Sequence, residues 1–175
     1  MTQSDAELVE LVLNGDSGAF DHLVRRYERP VRAVATGIMG DKDAADDAAQ
    51  EAFIKAYEKL ARLRTPAAFG PWLLKIARSC ALDAARREPK EMPLETSIYE
   101  TAVSDDGQLD SAKQELLAAV LKLPKAQRQV VMLRYFGSRS VREVADICGR
   151  SVGTVTKQLS RAHDRLRNML KGYEL

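Results

Sequence analysis

The sequence predicts an all-α protein made of two small helical domains joined by an acidic linker. Apolar residues recur at spacings of three and four along most of the chain, as in amphipathic helices, and no convincing run alternates as a strand does. The 45% hydrophobic and 30% charged residues are typical of a globular protein. Two prolines, a glycine and acidic residues break the helical period between positions 89 and 110. We therefore expect a domain over residues 1–88, a linker over 89–110 and a second domain over 111–175.

Four helical segments are predicted in the first domain. Ser4 and a glutamate three residues later form a capping box, which starts a helix that runs to residue 13. The second segment covers residues 17–39, with Pro30 as a kink or a restart, and the third covers 43–63. Proline is favoured as the first residue of a helix, so we expect the fourth helix over residues 71–87.

The second domain is predicted to contain a helix-turn-helix. Helical periodicity resumes at residue 111 and is interrupted at Pro124 and at residues 136–140. Ser140 and Glu143 then form a second capping box, and glycine at position 149 supplies a tight turn before the next helix. Two short helices joined in this way are typical of the motif that places its second helix in the major groove of DNA.

The second helix of this motif has one apolar face and one polar face that lacks acidic residues. Ser151 caps the helix, and its apolar stripe is Val155, Leu159, Ala162, Leu166 and Met169. Lysine and arginine can bind phosphates or guanine, and glutamine can bind adenine, so the polar face suits duplex DNA. The alternative is an ordinary solvated helix face. The candidate DNA-binding residues are Ser151, Gly153, Thr154, Lys157, Gln158, Arg161 and Arg165.

Charge is divided unevenly along the chain. The net charge of +2 consists of 0 over residues 1–90, −6 over 91–115 and +8 over 116–175. A basic final third indicates a negatively charged partner, first of all a phosphate backbone. The alternative is a helical domain that simply has a basic solvated face.

The third predicted helix carries a second unusual surface. Its core stripe is Ala45, Ala49, Ala52, Phe53, Ala56 and Leu60. Ile54 lies on the opposite side, about 140° from Ala49 at 100° per residue, among acidic residues and an amide. An aliphatic side chain in such surroundings is the composition of a small protein-binding patch, although a plain solvated face explains it about equally well.

Three stretches, taken in order, resemble the extracytoplasmic-function (ECF) group of bacterial sigma factors in the sigma-70 family. "DAADDAAQEAFIKAY" (43–57) resembles region 2.2, which in that family binds the clamp helices of the polymerase β′ subunit. "FGPWLLKIARSCALDAARR" (69–87) resembles regions 2.3 and 2.4, which melt and read the minus-10 element. Residues 123–166 resemble region 4, whose helix-turn-helix reads the minus-35 element.

The resemblance implies a transcription initiation factor and a set of partners. These are core RNA polymerase, through the β′ clamp helices and the β flap, promoter DNA, and an anti-sigma factor. It implies polymerase binding by Asp47, Gln50, Glu51 and Ile54, and minus-10 binding by Arg64, Phe69, Trp72, Lys75, Arg78, Ser79, Arg86 and Arg87. Cationic residues suit the DNA backbone, and an aromatic platform suits an unstacked base. Trp72 can instead belong to the core, and the basic residues can instead be a solvated helix end.

The sequence departs from the family pattern at several positions, so the promoter sequence does not follow from the resemblance. The departures are at Ala48, Ala49, Gly70, Pro71, Ser79, Thr156 and Gln158.

Several function classes are not indicated by the sequence. Cys80 and Cys148 are isolated, and we expect both to be core residues rather than metal ligands or a disulfide. No cofactor, enzymatic activity, secretory signal or membrane insertion is predicted, and a cytoplasmic location is expected. The rival interpretations are a stand-alone helix-turn-helix repressor or activator and a helical adaptor protein.

Overall fold

The structure is a computed structural model that describes residues 3–87 and 111–170, and this part of the chain contains helices and no strands. The predicted all-α class is confirmed. The helices are α1 Asp5–Leu13, α2 Gly18–Met39, α3 Lys42–Lys59, α4 Phe69–Arg87, α5 Ser111–Leu121, α6 Lys125–Val131, α7 Val141–Cys148 and α8 Val152–Met169. Short 3-10 turns cover Leu60–Arg62 and Pro66–Ala68, and a π turn covers Met132–Phe136.

In the N-terminal domain, the three long helices α2, α3 and α4 pack against one another, and α1 packs on α2. Alanines supply most of the buried face of α3, so its backbone can approach α2 and α4 closely. Large side chains come from the other helices, and burying one such leucine contributes about 1.5–3 kcal/mol. The predicted core stripe of α3 is buried except for Phe53, which is half-buried against the core.

Helix boundaries in this domain differ from the predicted ones in three places. Pro30 lies inside an uninterrupted α2, so it causes no restart. Helix α3 ends at Lys59 and a 3-10 turn follows. Helix α4 begins at Phe69, two residues before Pro71, because the preceding 3-10 turn leads directly into it. The capping box of Ser4 is present as predicted.

In the C-terminal domain, α8 packs against α5, α6 and α7. The buried side of α8 consists of Val155, Leu159, Ala162 and Leu166, as the periodicity predicts. Met169 was expected in the same stripe but is 41% exposed. Leu170, the next residue, packs against the core instead.

The two domains also pack against each other. Helix α2 contacts α6 and the π turn, and α4 contacts α7. The sequence did not predict this contact. The predicted linker, residues 89–110, lies outside the described residues.

Candidate nucleic-acid and protein-binding surfaces

Two serine caps and a glycine turn shape the helix-turn-helix. The Ser140 Oγ accepts a hydrogen bond from the Glu143 N–H at 3.2 Å, and the Glu143 carboxylate accepts one from the Ser140 N–H at 2.8 Å. Gly149 ends α7 with φ 63°, the left-handed conformation that glycine adopts without a steric penalty. The Ser151 Oγ then accepts from the Thr154 N–H at 3.2 Å. These contacts fix both helices of the motif, as predicted.

The polar face of α8 is open to solvent. Lys157, Arg161 and Arg165 are exposed, and Gln158 is half-buried beside them. At the start of the helix, the Thr154 hydroxyl lies 2.9 Å from the Ser151 hydroxyl, so both side chains also serve the cap. A Cβ added at exposed Gly153 would meet nothing within 4 Å. The seven candidate residues therefore lie along one accessible strip of α8, and all but Gln158 are exposed.

A tyrosine–histidine pair joins the π turn to α8, and the sequence analysis did not predict it. The Tyr135 hydroxyl lies 2.8 Å from the His163 Nε2, and the two ring centroids are 5.7 Å apart. Tyr135 is 49% exposed, and the Arg134 guanidinium lies 5.7 Å from its ring centroid. The π turn shifts the helical register here, so spacing alone does not bring these residues together.

Phe69, expected at the minus-10 surface, lies in the core of the N-terminal domain, and this expectation is wrong for the structure described here. Its side chain is fully buried, and its ring centroid is 5.6 Å from that of Tyr27 and 6.4 Å from that of Phe20. Trp72 packs on Phe69 with centroids 6.0 Å apart and is itself half-buried. Gly70 is required beside them, because an added Cβ would overlap the Tyr27 hydroxyl. Phe69 thus supports the surface instead of forming it.

The cationic residues of α4 differ in their exposure. Lys75, Arg86 and Arg87 are exposed, as are Ser79 on the same helix and Arg64 before it. Arg78 is half-buried, and its Nε is buried without a hydrogen-bond partner among the described residues. Most of the predicted minus-10 residues are therefore exposed to solvent, whereas Arg78 is partly covered.

The predicted protein-binding patch on α3 has an exposed apolar centre. Ile54 is 60% exposed, and Asp47 and Gln50 are exposed beside it. Tyr57, one turn further along, is 48% exposed and extends the apolar area. The sequence analysis did not include Tyr57 in the patch, although an aromatic residue three positions after Ile54 lies on the same side of a helix.

Glu51 is held by an ion pair within this patch. Its carboxylate lies 2.6 Å from the Lys55 Nζ, and this hydrogen bond lowers the pKa of Glu51. Lys55 also lies close to Cys80, whose thiol pKa is raised by burial. Cys80 and Cys148 are both buried, as expected of core residues, and both are free thiols.

Residues 3–87 and 111–170 contain neither a cluster suited to a metal ion nor a membrane-spanning helix. No cluster of three or more His, Cys, Asp or Glu side chains there could hold a metal ion. No helix in these ranges is long and apolar enough to span a membrane.

Both domains match known sequence families. The sigma-70 region 2 family matches residues 23–91, and the sigma-70 region 4 family matches residues 113–166. Together these cover well over half of the chain.

Curated relatives agree with this match. The RNA polymerase sigma-H factor of Pseudomonas aeruginosa is 31% identical, over 97% of this chain and 95% of the relative. The ECF RNA polymerase sigma factor SigM of Mycobacterium tuberculosis is 34% identical, over 98% of this chain and 86% of the relative. A probable RNA polymerase sigma factor, RfaY of Xanthomonas campestris, is 34% identical over 89% of this chain, but the chain spans only 41% of that relative.

Solved structures share the fold. The sigma factor RpoE of Bartonella quintana, solved with the anti-sigma factor NepR, has a TM-score of 0.68 and 25% identity over 89% of this chain and 98% of that one. CnrH, solved with the cytosolic domain of CnrY, has a TM-score of 0.71 over 98% of this chain and 100% of that one, at 23% identity. From these matches, the chain belongs to the ECF group of the sigma-70 family and is a transcription initiation factor that directs RNA polymerase to promoters.

Proposed function

We propose that the exposed polar strip of α8 reads the minus-35 duplex. One observation supports this assignment most directly: three cations and an amide share the strip, and the Ser151 side chain caps the start of the helix. Arginine or lysine can grip guanine or phosphate, and glutamine can pair with adenine. The contacting residues are Ser151, Gly153, Thr154, Lys157, Gln158, Arg161 and Arg165.

The N-terminal domain binds the opened minus-10 element in this proposal. The exposed cations of α4 bind the DNA backbone, and Trp72 borders a platform for an unstacked base. The residues are Arg64, Trp72, Lys75, Arg78, Ser79, Arg86 and Arg87. Phe69 is left out because its side chain is in the core.

The α3 patch is proposed to bind core polymerase. Ile54 supplies an exposed apolar centre that would lose its water on binding, and Asp47, Gln50 and Glu51 surround it, which is the composition of a small protein interface. We propose the β′ clamp helices as its partner and the β flap as the partner of the C-terminal domain. The chain acts in the cytoplasm, where polymerase performs the chemistry and the chain itself catalyses nothing.

An anti-sigma factor is a further proposed partner. The relative RpoE of Bartonella quintana was solved in complex with one, and the two chains share the fold.

The test is the dependence of DNA binding on polymerase. We would incubate the full chain with labelled promoter fragments in the presence and absence of core enzyme, and assay the same mixtures for run-off RNA. A sigma factor should give tight, specific binding and transcripts only with core enzyme. Specific binding of duplex DNA without core enzyme would favour a repressor or activator, and no DNA binding under either condition would favour an adaptor.

A further inference from the structure

The start of α4 packs directly against the side chain of Tyr27 on α2. Gly70 is buried, and a Cβ added to it would overlap the Tyr27 hydroxyl and lie 2.8 Å from two carbons of the Tyr27 ring. The hydroxyl therefore occupies the space that a side chain at position 70 would need. Gly70 is also one of the positions at which the sequence departs from the family pattern. The close approach of α4 to α2 thus depends on the pairing of a glycine with a tyrosine.

Asp5 of α1 holds the Tyr27 hydroxyl in this position. The hydroxyl donates a hydrogen bond to the Asp5 Oδ2 at 2.5 Å, and the Arg26 Nη1 donates to the Asp5 Oδ1 at 2.5 Å. Burial, together with the hydrogen bond to Asp5, raises the pKa of Tyr27, so the hydroxyl remains a donor at neutral pH. A hydrogen bond to an ionised carboxylate is stronger than one between neutral groups. The position of the hydroxyl is thus fixed from α1, which begins with the Ser4 capping box.

A line of ring contacts leads from Tyr27 to Trp72. The ring centroid of Tyr27 lies 5.6 Å from that of Phe69, and the ring centroid of Phe69 lies 6.0 Å from that of Trp72. Helix α1 also packs on the 3-10 turn Pro66–Ala68, immediately before α4. Trp72 is half-buried, so the far end of this line reaches the surface. A displacement of the Tyr27 side chain would therefore be transmitted to the exposed edge of Trp72.

We propose that Tyr27 is a positioning residue for the reading of the minus-10 element. Its hydroxyl, held by Asp5, sets the place of Gly70 and thereby of Trp72. A binding platform works only when the residues behind it hold its side chain in the productive place. Phenylalanine at position 27 would fill the same core but leave the space over Gly70 empty, so a role in packing alone does not need the hydroxyl. This role rests on the proposed function, because Trp72 must border the site of the unstacked base.

Tyr27→Phe tests this role because it removes only the hydroxyl. The matched control is Tyr135→Phe, which also removes a hydrogen-bonded hydroxyl, but from the C-terminal domain. Asp5→Asn is a second variant that keeps an acceptor oxygen and weakens the hydrogen bond, because the charge is lost. Gly70→Ala adds the Cβ for which the hydroxyl leaves no room, and it is made both alone and together with Tyr27→Phe.

The fluorescence of Trp72 reports the surroundings of its ring directly, because Trp72 is the sole tryptophan in the sequence. In the free full-length chain, Tyr27→Phe should shift the emission to longer wavelength and increase quenching by acrylamide, since the ring loses its fixed packing. Asp5→Asn should change both quantities less and in the same direction, and Tyr135→Phe should change neither. Gly70→Ala should have a smaller effect in the Tyr27→Phe protein than in the wild type, as expected of two residues in contact.

Promoter opening is then measured with purified core RNA polymerase and a promoter at which the wild-type chain initiates transcription. At saturating protein, Tyr27→Phe should lower the rate at which thymines of the minus-10 region become reactive to permanganate by roughly three- to tenfold, the effect of one lost hydrogen bond. Its affinity for core enzyme should be unchanged, because no residue of the α3 patch is altered. Tyr135→Phe should open the promoter at the wild-type rate.

The two measurements separate the positioning role from the proposed function. Unchanged Trp72 fluorescence in Tyr27→Phe would show that the hydroxyl does not position the ring. Altered fluorescence with an unchanged rate of opening, or an equal loss of core affinity and of opening, would overturn the role in reading the minus-10 element. Failure of the wild type to open any promoter with core enzyme would overturn the proposed function, while the fluorescence would still decide whether Tyr27 positions Trp72.

Discussion

The cationic surfaces of α8 and α4 differ in how they are presented. Lys157, Arg161 and Arg165 lie on an open strip of a helix that is fixed by a serine cap at its start. On α4, Arg78 is half-buried near α7, and Arg86 is already paired with Asp83 at 3.7 Å. The comparison shows that the polar strip of α8 is open in the described structure, whereas α4 is packed by α7 and its Arg78 is partly covered.

The largest effect is expected from the open strip. Replacing Lys157 and Arg161 by alanine should weaken duplex binding by about 1–3 kcal/mol for each residue that reads a base, or lower the salt slope by about one for each phosphate contact. The measurement is the affinity of the chain, bound to core enzyme, for a DNA duplex that lies upstream of the minus-10 element, determined at several salt concentrations. The control pair, Lys75→Ala with Arg86→Ala, should leave this binding almost unchanged. An equal loss of duplex affinity from both pairs would contradict the difference drawn between α8 and α4.

A slightly smaller effect is expected from the surface of α3 that is proposed to bind polymerase. Ile54→Glu places a charge at the apolar centre of the α3 patch and should weaken core binding by about 1–3 kcal/mol. The melting temperature should hardly change, because Ile54 is 60% exposed. Ala61→Glu, which adds the same charge at another exposed position, is the matched control and should leave core affinity unchanged. Undiminished core binding of Ile54→Glu would exclude this role for α3.

The next effect concerns the contribution of the α7 N-terminal cap to the stability of the protein. Ser140→Ala should destabilise the protein by about 1 kcal/mol, as measured by chemical denaturation. Ser160→Ala, at an exposed position of α8, should cost much less.

The contribution of the Ser140 cap should depend on pH. Burial raises the pKa of Glu143, but hydrogen bonds from Ser140 and the charge of Arg139 outweigh it, and the net pKa is lowered from 4.5. A lowered folded-state pKa means that the stabilisation is present above 4.5 and is lost as the pH falls through the folded value. The difference between the wild type and Ser140→Ala should therefore shrink below pH 4.5. A difference that grows on acidification would contradict the capping role of the Glu143 carboxylate.

The smallest effect is expected at Gly153. Gly153→Ala should leave the fold intact and stabilise it by up to about 1 kcal/mol, since alanine is the better helix former and the added Cβ has open space. If DNA approaches the start of α8 closely, the same change should weaken minus-35 binding several-fold. Thermal melting and duplex affinity measured on one preparation decide this, and unchanged affinity would show that the glycine has no part in DNA contact.

Local features of the fold were predictable from the sequence. The capping boxes at Ser4 and Ser140, the turn at Gly149 and the exposure of Ile54 all follow from short-range patterns, and the structure confirms them. Such features depend on residues within one or two helical turns, whose spacing is fixed by the helix itself.

Features that depend on distant residues were not predictable. The burial of Phe69 results from its position among aromatic rings of α2, and the contact of Arg128 with the end of α2 spans 91 positions in the chain. The π turn moves Tyr135 beside His163 by a change of register that no apolar period indicates. Tertiary packing decides these positions, and a single sequence does not encode them in any local pattern.

The most direct test of the account is to map the transcripts that the chain initiates. Core RNA polymerase, with and without the full-length chain, would transcribe a library of fragments of the source genome, and the 5′ ends of the RNA would be sequenced. We expect a set of start sites that appear only with the chain and share two conserved elements, centred near positions minus-10 and minus-35. Lys157→Ala with Arg161→Ala should reduce their use. Identical start sites with and without the chain would contradict the conclusion that it directs polymerase to promoters.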